Sequence, residues 1–157
     1  MSFVTPTTPN LTDFLTFAQA QGVPSGDVPT AGDNVFQPQW ALDDALDRVI
    51  GQNMLASEAT MRYVLAVYNL ALHIWITQGD DLTGETFFTD TRTAMNLLSF
   101  LGGVILASGD GPTSQTIAVP EQLKGISIDD LELIKTPWGR RYMGYKQMYG
   151  RNVVVLV

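Results

Sequence analysis

Apolar residues recur at intervals of three and four over most of the chain, which is the period of an α-helix that faces a core. The spacing predicts helices at 10–22, 38–50, 57–78 and 87–106, and a last helix from Pro137 to Tyr149. Between residues 57 and 78 apolar side chains occupy nearly every face, so we expect this helix to be central. The predicted fold class is all-α, a small helical bundle of about four to five helices connected by long loops.

Residues that favour helix starts and stops stand at several of these boundaries. Asn10 and Ser127 precede helical segments, and side chains of this type cap the free N–H groups of a first turn. Gly22 favours a stop after the first helix, since glycine readily adopts the left-handed backbone that ends many helices. After a short helical turn at 128–135, Pro137 predicts a new helix because proline suits the first helical turn.

Charge divides the chain into two parts. Residues 1–134, here called the acidic body, contain all 16 acidic residues and four basic ones, a formal charge of −12. They include the first four predicted helices and a long polar loop at 108–120. Residues 135–157, the basic segment, contain five basic residues and no acidic one, so the whole chain has a charge of −7. This separation predicts that the basic segment contacts something other than its own body.

The basic segment is also aromatic. Trp138, Tyr142, Tyr145 and Tyr149 follow one another at steps of four, three and four, so they share one face of the predicted last helix. This stripe either packs on its own domain or contacts a partner, and both interpretations are open at this point. The cationic side chains beside it have three candidate environments, namely carboxylates of a partner protein, phosphates of DNA, or water.

The chain ends in an uncharged, β-prone run from Val153 to Val157. An isolated strand is not stable, so we expect this run to add to the edge of a sheet, with another chain favoured over this one. Residues 135–157 are therefore predicted to form a C-terminal arm that binds a partner. The candidate partner-binding residues are Trp138, Arg140, Arg141, Tyr142, Tyr145, Lys146, Tyr149, Arg151, Val153, Val154, Val155, Leu156 and Val157.

Composition and motifs argue against several other classes. The chain has no cysteine, which excludes disulfides and thiolate metal sites, and His73 is its single histidine. We expect His73 to pack in the third helix with one ring nitrogen hydrogen-bonded. No phosphate loop, nucleophile elbow or His-Glu-x-x-His pattern occurs, so we predict no enzyme activity and no catalytic, cofactor-binding or metal-binding residues. The apolar run at 61–76 is too short for a membrane span, and no membrane contact is expected.

Four stretches together carry a resemblance to a known family. They are Leu11–Leu15, Gln21–Pro24, Ala66–Leu70, and the stretch from Val119-Pro120 to Leu131–Tyr142. Taken together, these stretches resemble the small head–tail adaptor proteins of tailed bacteriophages, also called connector or head-completion proteins.

The resemblance implies a structural virion protein without a cofactor. Such an adaptor docks under the portal of the capsid as a ring, usually of twelve copies, extends the DNA channel and provides the attachment surface for the tail. The implied partners are the portal protein, neighbouring adaptor subunits, a downstream neck or tail protein, and genomic DNA that passes without sequence-specific binding. The implied location is the head–tail neck of the virion, after synthesis in the host cytoplasm. The alternative is a small binding or regulatory module whose basic segment contacts nucleic acid or an anionic surface.

Overall fold

The structure, a computed structural model, describes residues 8–30, 32–51, 61–98, 104–107, 116–118 and 127–150. The described residues are mostly helical, in agreement with the predicted helical class. They form a short 3₁₀ turn at Ser25–Asp27 and two antiparallel strands, β1 (Val104–Ala107) and β2 (Thr116–Ala118). The helices are α1 (Leu11–Ala20), α2 (Pro38–Gly51), α3 (Met61–Gln78), α4 (Phe87–Ala94), α5 (Ile128–Ile134) and α6 (Pro137–Gly150).

Helix α3 is enclosed by the other helices. Every residue from Ala66 to Ile76 is buried, and α1, α2, α4 and α6 all pack against this helix. Trp75 lies at the centre, where its ring contacts Phe14 of α1 at 6.0 Å and Phe88 of α4 at 5.4 Å between centroids. Since the apolar side chains of α3 cover all its faces, only a position surrounded by other helices removes them from water.

The ends of α1 form through local hydrogen bonds. The side-chain oxygen of Asn10 accepts from the N–H of Asp13 at 2.9 Å, which satisfies a free donor of the first turn. Gly22 follows the helix with a φ of 107°, and the N–H of Val23 donates to the C=O of Ala18 at 3.1 Å. This bond across the last turn is the usual closure when a left-handed residue ends a helix. Both signals are visible in the sequence because they act between neighbouring residues.

The predicted helix at 87–106 is wrong beyond Ala94 at the residues that the structure describes there, 95–98 and 104–106. Helix α4 ends at Ala94, and Asn96 then adopts a left-handed φ of 54°. The N–H of Leu97 donates to the C=O of Arg92 at 2.9 Å, so the chain closes as it does after α1. Asparagine tolerates this backbone better than most residues, and it ended the helix despite an apolar spacing that continues beyond it. Further along, the Val-Ile-Leu-Ala sequence of β1 has the branched side chains that strands favour.

The remaining boundaries differ little from the predicted ones. Helix α2 extends to Gly51, one residue past its predicted end, and the predicted loop at 108–120 contains β2. In the two-stranded ladder Val104 pairs with Ala118, and the register shifts before Ala107. Residues 57–60 and the β-prone run at 153–157 lie outside the described residues. Within the described part, no helix has both the length and the apolar character needed to cross a membrane.

Candidate interaction surface on the C-terminal helix

Helix α6, the main part of the basic segment, begins at a buried cap. Thr136 is fully buried, and its Oγ1 accepts a hydrogen bond from the N–H of Gly139 at 2.9 Å. Pro137 occupies the first helical position, where its missing N–H costs nothing. The Thr136 hydroxyl also lies 2.7 Å from Nδ1 of His73 in α3. One side chain therefore both starts α6 and attaches it to the enclosed helix.

His73 completes this attachment as a neutral ring. Thr136 Oγ1 accepts from Gly139 and still has its own hydrogen to donate; with the ring proton on Nε2, His73 Nδ1 is the acceptor at 2.7 Å. Burial, and to a smaller extent the Arg48 guanidinium, lowers the pKa of His73 to about 4. The histidine is buried and hydrogen-bonded through one ring nitrogen, as its position in the third helix predicts.

Gly139 allows α5 and α6 to meet closely. A Cβ built on Gly139 would lie 2.1 Å from the carbonyl oxygen of Leu133, which is shorter than non-bonded carbon and oxygen atoms can approach. The side chain of Leu133 is buried in the core beside this corner, and Arg140 Nη1 donates to the C=O of Ile134 at 2.8 Å. The corner between the two helices therefore depends on glycine at this position.

The predicted aromatic stripe faces the protein's own core. Trp138 is 8% exposed and Tyr142 2% exposed, and both belong to the core cluster. Tyr145 is half-buried and packs against that cluster, whereas the side chain of Tyr149 lies outside the described part. Burial, followed by the nearby charge of Asp130, raises the pKa of Tyr142 to about 12. Trp138 and Tyr142 thus hold α6 on its own domain, and a partner reaches them only if α6 leaves the core.

Two adjacent arginines lie on the solvent side of α6. Arg140 and Arg141 are both exposed. Arg140 donates to the C=O of Ile134, and Arg141 Nη1 donates to Gln21 Oε1 at 2.9 Å. A guanidinium carries five N–H donors, and one hydrogen bond occupies one of them. Each arginine therefore keeps donors that can bind a carboxylate or phosphate of a partner.

Lys146 is engaged within the protein. Its Nζ lies 2.9 Å from Asp130 Oδ1, an ion pair that connects α6 to α5 across part-buried side chains. The pair stands at a cavity of about 290 Å³, which Arg48 and Tyr142 also line. Of the predicted partner-binding residues in the described part, Arg140 and Arg141 are the most accessible charged ones. Arg151 and the run at 153–157 lie outside the described residues, and their binding role stays a prediction.

No protein-family model, curated protein or solved structure matches this chain. In the described part, no group of three histidine, aspartate or glutamate side chains converges in a way that could hold a metal ion.

Sequence reasoning missed some contacts that define this surface. Arg141 meets Gln21 across 120 positions of the chain, and Lys146 meets Asp130 across 16. Asp130 resembles an ordinary charge at a helix start, since it follows the Ser127 cap, and nothing local indicates its pairing with α6. The sequence shows a glycine two residues after a helix-starting proline, but not why glycine is needed there. That reason is the close approach of α5, which only the structure shows.

Proposed function

We propose that this protein is a head–tail adaptor of a tailed bacteriophage. In this role it is made in the host cytoplasm and docks as a ring under the portal, in the neck of the virion. There it extends the DNA channel and provides the attachment surface for the tail. The observation that carries the proposal is the exposed Arg140–Arg141 pair on a helix anchored to a strongly acidic body. Carboxylates of the portal are the proposed docking partners of these two arginines.

The anchoring of α6 supports a docking role. Thr136, Gly139 and Tyr142 hold α6 against α3 and α5. Arg140 and Arg141 therefore extend from a helix that is already ordered. A partner then has less conformational freedom to remove on binding, which leaves more of the contact energy as affinity.

The charge distribution also fits a ring around DNA. In a ring, one patch of each subunit meets a different patch of the next, and an acidic body joined to a basic segment offers two such patches. A cationic wall would hold the phosphates of DNA, whereas the charge of −12 on residues 1–134 leaves DNA free to slide. Genomic DNA is thus a passing partner in this proposal, and the adjacent subunit and a downstream neck or tail protein are binding partners.

The test is capture of the portal protein encoded in the same genome. The double variant Arg140→Gln/Arg141→Gln is compared with Arg48→Gln/Arg62→Gln, which removes two exposed positive charges from α2 and α3. We expect the first variant to lose the portal and the second to retain it. A chain that ends at Gly150 measures the contribution of residues 151–157 in the same assay. Equal capture by wild type and both variants would reject Arg140 and Arg141 as the docking pair.

The exposed arginines also favour one alternative, a small regulatory module that binds nucleic acid or an anionic surface through the basic segment. Duplex DNA as a parallel bait separates the two functions. The alternative predicts DNA binding that falls steeply as the salt concentration rises, since cations released from the phosphates drive such binding. Capture of DNA without capture of the portal would replace the adaptor proposal by this one.

A further inference from the structure

A groove of about 600 Å³ lies where the segment before α2 faces the end of α3. It contains aromatic, amide and carboxylate side chains together, and none of its described lining residues is cationic. The residues that matter for its chemistry are Asp33, Phe36, Gln37, Trp40, Gln78 and Asp80.

Trp40 gives the groove an open aromatic surface. It is 56% exposed, whereas Trp75 is fully buried and Trp138 nearly so. Its ring meets the ring of Phe36 edge to face, with centroids 5.6 Å apart and planes at 85°. This contact supports the indole while leaving much of it in water. An exposed tryptophan in a groove is typical of a binding surface, because burying the ring on a partner releases a large apolar area.

The wall of the groove is organised before anything binds. The N–H and hydroxyl of Thr30 donate to Asp33 Oδ2 at 2.7 and 2.9 Å, and Gln37 Nε2 donates to the C=O of Asp33 at 3.0 Å. The hydrogen bonds from Thr30, first its N–H and then its hydroxyl, lower the pKa of Asp33, so this carboxylate is charged at neutral pH. A wall of fixed shape spares a ligand the cost of ordering it.

The groove continues into an acidic face of α2. Asp43 and Asp47, both exposed, follow Trp40 at three and seven positions, so they lie along the same side of the helix. Asp44 beside them is paired with Arg48 at 3.0 Å. Asp80, an exposed residue, carries a carboxylate on the opposite wall. Charge complementarity therefore calls for a cationic ligand, and the negative body disfavours nucleic acid.

We propose that this groove binds an arginine-bearing segment of a partner protein. The planar guanidinium stacks on the Trp40 indole while its N–H groups donate to the carboxylates of Asp33 and Asp80. Arginine fits this combination better than lysine, because it is flat, weakly hydrated and presents several donors in one plane. The site differs from the α6 surface in its residues and in the sign of its charge, and it does not depend on the adaptor function.

The test uses the full chain and a fluorescein-labelled peptide of alternating glycine and arginine, with binding followed by fluorescence anisotropy. Peptides in which lysine or glutamine replaces arginine are run in parallel. We expect the arginine peptide to bind most tightly, the lysine peptide more weakly and the glutamine peptide not at all. Equal binding of the glutamine peptide would overturn the proposal, since it carries no charge to recognise.

Variants locate the binding within the molecule. Trp40→Ala should weaken the arginine peptide about tenfold, and Trp40→Phe less, because phenylalanine keeps an aromatic face. Asp80→Asn should weaken it about threefold, while Asp47→Asn, which removes the same charge from an exposed helix position, should change it less than about twofold. Circular dichroism confirms that each variant is folded. If Trp40→Ala binds like wild type, or if Asp80→Asn and Asp47→Asn lose affinity equally, the groove is not the site.

Discussion

Mild acid should destabilise the protein through His73. In the unfolded chain His73 binds a proton with a pKa of 6.5, whereas in the folded protein it does so only near pH 4. Between these values the unfolded state binds more protons, so the free energy of unfolding falls as the pH is lowered from about 6.5 towards 4. A difference of about 2.5 between the two pKa values corresponds to about 3 kcal/mol in full, and to about 2 kcal/mol at pH 5.

The structure also indicates where this loss acts. A proton on Nδ1 removes the acceptor that the Thr136 hydroxyl uses, and it places a charge in the core beside the start of α6. The corner between α5 and α6 should therefore loosen first. Hydrogen exchange of the Gly139 amide, which donates to Thr136, measures this local opening.

Urea unfolding at pH 7 and pH 5, in wild type and in His73→Gln, tests the magnitude. The substitution itself lowers stability at both pH values, so the informative quantity is the pH-dependent difference. Titration of the carboxylates is common to both proteins and cancels in that difference. We expect wild type to lose about 2 kcal/mol more than His73→Gln between pH 7 and pH 5. The same pH dependence in the two proteins would refute this account of His73.

Three further predictions can be tested by equilibrium unfolding. Asp27 is 1% exposed, and its carboxylate oxygens have no hydrogen-bond partner in the described part. Burial raises the pKa of this carboxyl, so the free energy of unfolding should fall as the pH rises above about 4. Asp27→Asn should thus stabilise the protein at pH 7 by roughly 1 kcal/mol, and no gain at pH 7 would contradict this. Gly139→Ala should lower the stability of the protein by about 3 kcal/mol or more, because the new Cβ would meet a backbone carbonyl. Gly144→Ala, on the same helix but with open space around it, should raise the stability by up to about 1 kcal/mol. A similar effect of the two alanines would argue against a tight corner. Thr136→Val should cost about 2 kcal/mol because the cap and the bond to His73 are both lost, while Thr136→Ser retains the hydroxyl and should lose much less.

Local chemistry in the sequence was enough to place most helix boundaries. Asn10, Gly22 and Ser127 act on residues three to five positions away, so their effect does not depend on the rest of the fold. The end of α4 was the exception, because apolar residues continue at helical spacing past Asn96. A single left-handed residue stopped the helix there, and the periodicity contains no sign of it.

Tertiary packing decided which face of α6 is available. The spacing of Trp138 and Tyr142 along a helix places them on one face. The spacing alone does not say whether that face meets the core or a partner. The approach of α3 and α5 buried these two rings and left Arg140 and Arg141 in water. The separation of charge is a property of the sequence itself, because it depends only on which residues the chain contains. The choice of exposed residues belongs to the tertiary structure, because burial depends on segments that are far apart in the chain.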